Sequence, residues 1–227
     1  MKAIVICTTH GKCLPVMLAS ISEYVPRDVV VYLAGSDLKL PNHQTINLPN
    51  DARNFGDAYN AAAHEAFKKF ESVVIANDDI VFTPTTWLTL GSDVSLIRKE
   101  YPNAGYVACR CDFARSPQNI RFGKGKISFL RWESESKIIL TDIIAPICAE
   151  ITRAAWINFP PLNWFSDDVQ CVDMQRTQFV SRAYIHHVGS QTCGDDVIKC
   201  RADAEPWIKA NRPELHSRWF LTNAALI

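Results

Sequence analysis

No run of apolar residues in this 227-residue chain approaches the ~18 needed to cross a bilayer. The opening residues, Met1-Lys2-Ala3-Ile4-Val5-Ile6-Cys7-Thr8-Thr9-His10, turn polar too soon for a secretory leader. These two shortfalls lead to the expectation of a cytoplasmic protein with no membrane partner. Net charge is missing as well: 24 Lys and Arg balance 24 Asp and Glu, so no overall field draws the chain to nucleic acid or to an anionic surface. No Gly-x-x-x-x-Gly-Lys-Ser/Thr and no Gly-x-Gly-x-x-Gly follows the first apolar run, which argues against a P-loop or dinucleotide enzyme. The cysteines, at 7, 13, 109, 111, 148, 171, 193 and 200, form no CxxC pairs. That excludes a zinc ribbon or a regular disulfide frame, and reduced thiols are expected. Repeats, low-complexity tracts and linkers are also lacking.

What is there is an alternation of short apolar runs with helical periodicities. Ala3 to Cys7 is a continuous apolar run, followed by a polar turn and then Leu14, Met17, Leu18 and Ile21 at helical spacing. Val29 to Leu33 and Thr45 to Leu48 repeat the strand pattern. Small residues Ala58, Ala61, Ala62, Ala63 and Ala66 mark a close-packing helix between Arg53 and Phe70, with Asn54, Gly56 and Asp57 in its first turn. A helix from about Pro84 to Glu100, strands at Gly105 to Cys109, Ile138 to Leu140, Ile147 to Ile151 and Ser181 to His186, and a short helix at Thr152 to Ile157 complete the pattern. The expected fold is α/β, with a mostly parallel central sheet and helices on both faces. The tail from Asp203 to Phe220 is expected to dock on the sheet.

The most informative stretch is Ser72-Val73-Val74-Ile75-Ala76-Asn77-Asp78-Asp79. Its apolar part reads as a strand buried on both faces, ending in two adjacent carboxylates. Such carboxylates raise each other's pKa and lose hydration, so a divalent cation is the economical explanation; an Asp-rich turn capping the next helix is the other. Ligands of open α/β sheets bind outside the carboxyl ends of the strands, where this triplet falls. Between Arg98 and Trp132, eight basic residues face only Glu100 and Asp112, and aromatics are interleaved with them. Arg110, Arg115, Arg121, Lys124 and Lys126 are therefore candidate contacts to a nucleic-acid backbone, although a solvated loop over a hydrophobic core has the same composition.

An Asn-Gly helix start, a strand ending in Asn-Asp-Asp and a late His187-Val188-Gly189-Ser190, in that order, resemble the nucleotide-sugar glycosyltransferases of the GT-A fold, closest to the family 2 type. The resemblance implies a single domain over residues 1–227, with a nucleotide-sugar half (1–110) and an acceptor half plus C-terminal helix (111–227). It places the nucleotide around Thr8, Thr9 and Asp37, and brings Arg53 and Asn54 to the donor sugar or diphosphate. Asn77 or Asp78 would bind ribose or sugar hydroxyls. Asp79 and His187 would hold Mn²⁺ or Mg²⁺, with His186 an alternative one residue away; an imidazole ligand tilts the choice to manganese. Asp167 or Asp168 would be the catalytic base, with Asp173 next in line. The implied activity is an inverting hexosyl or pentosyl transfer from a nucleotide-diphosphate sugar, a UDP-sugar first among them. The compact chain is similar to phage-encoded glycosyltransferases that modify hydroxymethylated pyrimidines, so 5-hydroxymethylcytosine in double-stranded DNA is the leading acceptor. A surface polysaccharide or a protein is the alternative acceptor, and a non-catalytic nucleotide-sugar or nucleic-acid binding module the alternative function.

Overall fold

Unbroken apolar runs form strands here because both sides of each strand are buried. In β1 (Ala3–Cys7), Ile4 and Ile6 enter one hydrophobic cluster while Ala3 and Val5 enter another. In β4 (Ser72–Asn77), Val74 and Ala76 face the first cluster and Val73 and Ile75 the second. A strand covered on both faces has no use for polar alternation. The computed structural model describes residues 2–9, 11–112, 114, 117–122, 129–130, 137–188 and 197–221.

Around β1 and β4 lie β2 (Val30–Ala34), β3 (Thr45–Leu48), β5 (Ile80–Phe82), β6 (Val107–Cys111), β9 (Ile139–Thr141), β10 (Cys148–Thr152) and β11 (Gln178–His187); β7 (Arg121–Phe122) and β8 (Phe129–Leu130) form a separate ribbon. The strand order is β3-β2-β1-β4-β10-β6-β11-β5, with β9 paired to β11. β1, β2, β3, β4, β6 and β11 run one way, and β5, β9 and β10 the other. Helices α1 (Leu14–Tyr24) and α3 (Thr86–Glu100) cover one face through Leu14, Met17, Ile21, Trp87, Leu90 and Ile97. The alanine-rich α2 (Phe55–Phe67) and α4 (Ser166–Met174) cover the other.

β11 is bent by a bulge between Val180 and Tyr184, which lets its second half leave β9 and pair with β5. The bulge is pinned by Asp93 of α3, a fully buried carboxylate that accepts from Ser181 Oγ (2.9 Å), Arg182 N (2.7 Å) and Arg182 Nε (2.9 Å). This bend carries the end of β11 to the acidic turn that leaves β4.

Two expectations are corrected. The helix expected over residues 152–157 is absent: Thr152 ends β10 and residues 153–155 form a turn, in which Thr152 Oγ1 accepts from Ala155 N (3.2 Å) and Arg153 reaches back to Phe67 O (2.9 Å). The tail, comprising α5 (Val197–Asn211), α6 (Pro213–His216) and a π-helical turn (Ser217–Leu221), docks on α4 rather than on the sheet. Ala204, Ile208, Leu215 and Trp219 pack on Leu162, Phe165 and Val169, with the Phe165 and Trp219 rings stacked at 5.5 Å.

Candidate functional site

Because β1, β2, β4, β6 and β11 run in one direction, their carboxyl ends share one rim, and the polar residues excluded from the core collect there. Thr8 follows β1. Its amide donates to Ala34 O (3.0 Å), its hydroxyl donates to Asp78 Oδ2 and accepts from Gly11 N (3.0 Å), and its carbonyl accepts from Asn50 Nδ2 (3.1 Å). Gly35, at φ +87°, brings its backbone so close to the same carbonyl that a Cβ would lie 2.2 Å from Thr8 O. Asn47 clamps the loop after β2 through Ser36 O (2.6 Å) and Leu38 O (2.9 Å). Thr9, Asp37 and Arg53 are exposed along this edge, and Asn77 and Asp78 are half-buried.

The acidic turn meets the end of β11. Asp79 and His187 are both buried, and His187 Nε2 lies 3.2 Å from Asp79 Oδ1. That approach lacks hydrogen-bond geometry, and Asp79 Oδ1 has no hydrogen-bond partner among the described residues. Val188 N donates to Asp79 O (3.0 Å), which locks the two segments together. His186, on the opposite side of the strand, has its Nδ1 2.5 Å from Asp112 Oδ2 instead. A buried carboxylate oxygen lacking a donor is costly, whereas two neighbouring ligands of an octahedral ion at about 2.1 Å lie about 3 Å apart. The pair therefore fits a divalent cation. Among the described residues no group of three or more His, Cys, Asp and Glu side chains forms a cage.

The field of this turn extends to its neighbours. Burial first, then the Asp79 and Asp78 charges, push the Cys13 thiol above its ordinary range, while Lys12 pulls it down. Burial and then Asp78 do the same to Cys7. Tyr59, wholly buried, donates to Ala76 O (2.8 Å) beneath the turn, and its hydroxyl is held far above its usual range by burial, with Cys7 and Asp78 adding.

The start of α2 is spoken for. Asn54 Oδ1 accepts from Asp57 N (2.8 Å) and Asn54 Nδ2 donates to Asp57 Oδ2 (2.7 Å), a reciprocal cap. Phe55 N donates to Asn163 Oδ1 (2.9 Å) and Gly56 N to Leu162 O (3.1 Å). These bonds draw the segment before α4 onto α2, and the Asn60 side chain exchanges two hydrogen bonds with the Phe159 backbone (2.9 and 2.8 Å). Asp167 and Asp168 occupy the first turn of α4, the former half-buried and the latter buried. Phe165 just before them holds a left-handed φ of 64°, an uncommon conformation for an aromatic, fixed by its stack on Trp219. Asp173 lies further along α4 and is taken by Arg212, whose Nε donates to its Oδ1 at 2.9 Å.

The nucleic-acid contacts are corrected at Arg110. It is 2% exposed and donates inward to Ser181 O (3.1 Å), within the β11 bulge, and to Lys137 O, just before β9. The Arg121 side chain and residues Arg115, Lys124 and Lys126 lie outside the described residues. Sequence reasoning missed Asn47, Asn50 and Asp112; the last follows an apolar strand as Asp78 and Asp79 do, a signal that could have found it.

Solved structures share this architecture. S. aureus TarS 1-349 aligns with a TM-score of 0.53 at 17% identity over 95% of this chain and 68% of that one. TarS 1-349 in complex with UDP-GlcNAc aligns at 0.54 and 14%, over 82% of this chain and 58% of that one. GalNAc-T7 with UDP, GalNAc and Mn²⁺ aligns at 0.59 and 12%, over 82% of this chain and 44% of that one. These proteins are GT-A glycosyltransferases. The chain has the GT-A fold. It spans less than half of the GalNAc-T7 chain, and identities this low speak for the GT-A fold alone. The sequence matches no family model and no curated protein. No described helix is long and apolar enough to cross a membrane.

Proposed function

We propose that this protein is a metal-dependent, inverting glycosyltransferase that moves a sugar from a nucleotide-diphosphate donor, a UDP-sugar, to an acceptor hydroxyl. The observation that carries the reading is the buried approach of His187 Nε2 to Asp79 Oδ1, with no hydrogen bond to that oxygen among the described residues, at the carboxyl rim of a GT-A sheet. UDP-GlcNAc in one neighbour, and UDP with Mn²⁺ in another, support the donor and the ion.

Asp79 and His187 would hold Mn²⁺ or Mg²⁺. When bound, the ion supplies Lewis-acid neutralisation of the departing diphosphate. Around it the chain orders its own side chains. Thr8 and Asp78 brace one another beside the strand ends, and Asn50 Oδ1, buried and without a donor among the described residues, offers an acceptor to an N–H of the nucleobase. Thr9, Asp37 and Arg53, exposed along the same rim, are free to meet the donor, whereas Asn54 acts through its cap on α2.

The acceptor hydroxyl must shed its proton as it attacks, and a carboxylate within reach performs this as general base. Asp167 suits the task better than Asp168 because it retains solvent access. Asp173 is held by Arg212 and drops out. A hydroxymethylated-DNA acceptor drew on the basic segment as well as on the resemblance; within that segment Arg110 is a core residue and Arg98 is paired with the buried Glu150, while Lys99 is exposed. The acceptor is thus assigned by chemistry as a hydroxyl only.

The test is incubation with a panel of UDP-sugars, with and without Mn²⁺, reading UDP release and transfer by mass spectrometry to glycans, protein and hydroxymethylcytosine DNA. Mn²⁺-dependent consumption of a donor is expected, and Asp167→Asn should cut turnover by ~10²–10⁴-fold while UDP still binds. UDP binding without any turnover would instead support a binding module.

A further inference from the structure

The geometry points to Asp112 as the residue that positions His187 for metal binding, an assignment that rests on the function proposed above and deepens it. The parallel ladder between β6 and β11 pairs Cys111 with Ile185, and β6 ends there. Two residues further along β11, the amide of His187 therefore has no strand carbonyl to reach on that side. Asp112, the next residue of the chain after β6, fills the gap: its Oδ1 accepts from His187 N at 2.8 Å. The carboxylate is 3% exposed, so the bond is made away from competing water.

The second oxygen decides which histidine faces the acidic turn. His186 Nδ1 lies 2.5 Å from Asp112 Oδ2, so the first histidine of the pair is turned to the β6 side of the strand end. Consecutive residues of a strand point in opposite directions, and His187 is thereby directed to Asp79. On its other flank, the bond from Val188 N to Asp79 O completes the clamp. Asp112 is thereby a positioning residue for the histidine pair. It acts through the backbone of His187 and the ring of the neighbouring His186.

The test is calorimetric titration of Mn²⁺ into the protein saturated with UDP, for wild type, Asp112→Ala, Asp112→Asn and His186→Gln. Asp112→Ala should lose ~10–100-fold in Mn²⁺ affinity, the range typical of outer partners of ligands. Asp112→Asn keeps an oxygen able to accept from His187 N and should restore affinity to within about threefold of wild type, a rescue that a loss of fold would not show. His186→Gln loses the imidazole held by Asp112 Oδ2 but keeps the bond to His187 N, and should weaken Mn²⁺ binding by less than Asp112→Ala. Wild-type Mn²⁺ binding with an unchanged Asp112→Ala affinity overturns the assignment alone. Absence of Mn²⁺ binding in the wild type overturns the proposed function and this assignment with it. If Asp112→Ala does not fold, amide hydrogen exchange in the wild type decides the matter. The His187 amide should be as protected as that of Ile185, and exchange as fast as an open loop overturns the bond on which the assignment stands.

Discussion

Gly56→Ala strikes the seam that joins the donor rim to α4. A Cβ at this position would lie 1.9 Å from Pro160 O and 2.9 Å from Ser166 Oγ, so backbone must separate by more than an ångström. Four bonds cross the seam: Gly56 N to Leu162 O (3.1 Å), Phe55 N to Asn163 Oδ1 (2.9 Å), Asn60 Nδ2 to Phe159 O (2.9 Å) and Phe159 N to Asn60 Oδ1 (2.8 Å). Overpacking costs about 1–3 kcal/mol, and each weakened bond adds about 1 kcal/mol. With one of these bonds weakened the loss is roughly 2–4 kcal/mol, a fall in Tm of about 4–16 °C for a domain of this size. The functional effect should be uneven. Asp167 rides on α4 and is displaced, whereas the contact of Thr8 with Asp78 lies away from the seam. Turnover should therefore fall by about 10²-fold, the cost of an ångström of misplacement, with UDP affinity kept within a few-fold. Differential scanning calorimetry and a UDP-release assay read the two effects. A variant that melts within about 1 °C of wild type refutes the packing argument; one that melts early yet turns over at full speed refutes the link between the seam and the base.

Arg110→Met removes two inward hydrogen bonds to carbonyls, and urea unfolding should show a loss of about 3 kcal/mol or more; unchanged stability would contradict its core role. Asp93→Ala strands the Ser181 hydroxyl and the Arg182 amide at the β11 bulge and should cost roughly 3–5 kcal/mol by the same measurement. Cys13 carries a thiol raised by burial and by the Asp79 and Asp78 charges, so Asp79→Asn lowers its pKa and increases the thiolate fraction at pH 8. Iodoacetamide labelling of the Cys13 peptide, followed by mass spectrometry, should be slow in wild type and faster in the variant, and equal rates would show that the carboxylate does not act on it.

The strands were legible because burial on both faces writes unbroken apolar runs, and α2 because close packing demands alanine. The acidic end of β4 was legible because two carboxylates after a buried run need an explanation. Strand order was not, since the antiparallel entry of β10 between β4 and β6 is decided by packing among segments distant in the chain. Arg110 misled for a related reason: composition reports a positive charge but not the Ser181 carbonyl at the bulge of another strand or the Lys137 carbonyl that also meets it. The tail left the sheet because the Leu162, Phe165 and Val169 face of α4 and its preceding turn needed cover. Asn54 stood out as the start of a helix motif, and its cap on Asp57 follows from that position. Asp112 passed as one of two acids in a basic stretch, because its partner is a backbone amide of residue 187.

The central claim is that Asp79 and His187 hold one divalent ion on which UDP binding depends. Titration of UDP into wild type, Asp79→Ala and His187→Ala, each with Mn²⁺ and with EDTA, tests it most directly. The account predicts that Mn²⁺ strengthens UDP binding by wild type and that either substitution abolishes the difference between the two conditions. Wild-type UDP affinity that is equal in Mn²⁺ and EDTA, or a Mn²⁺ effect that survives both substitutions, would contradict it.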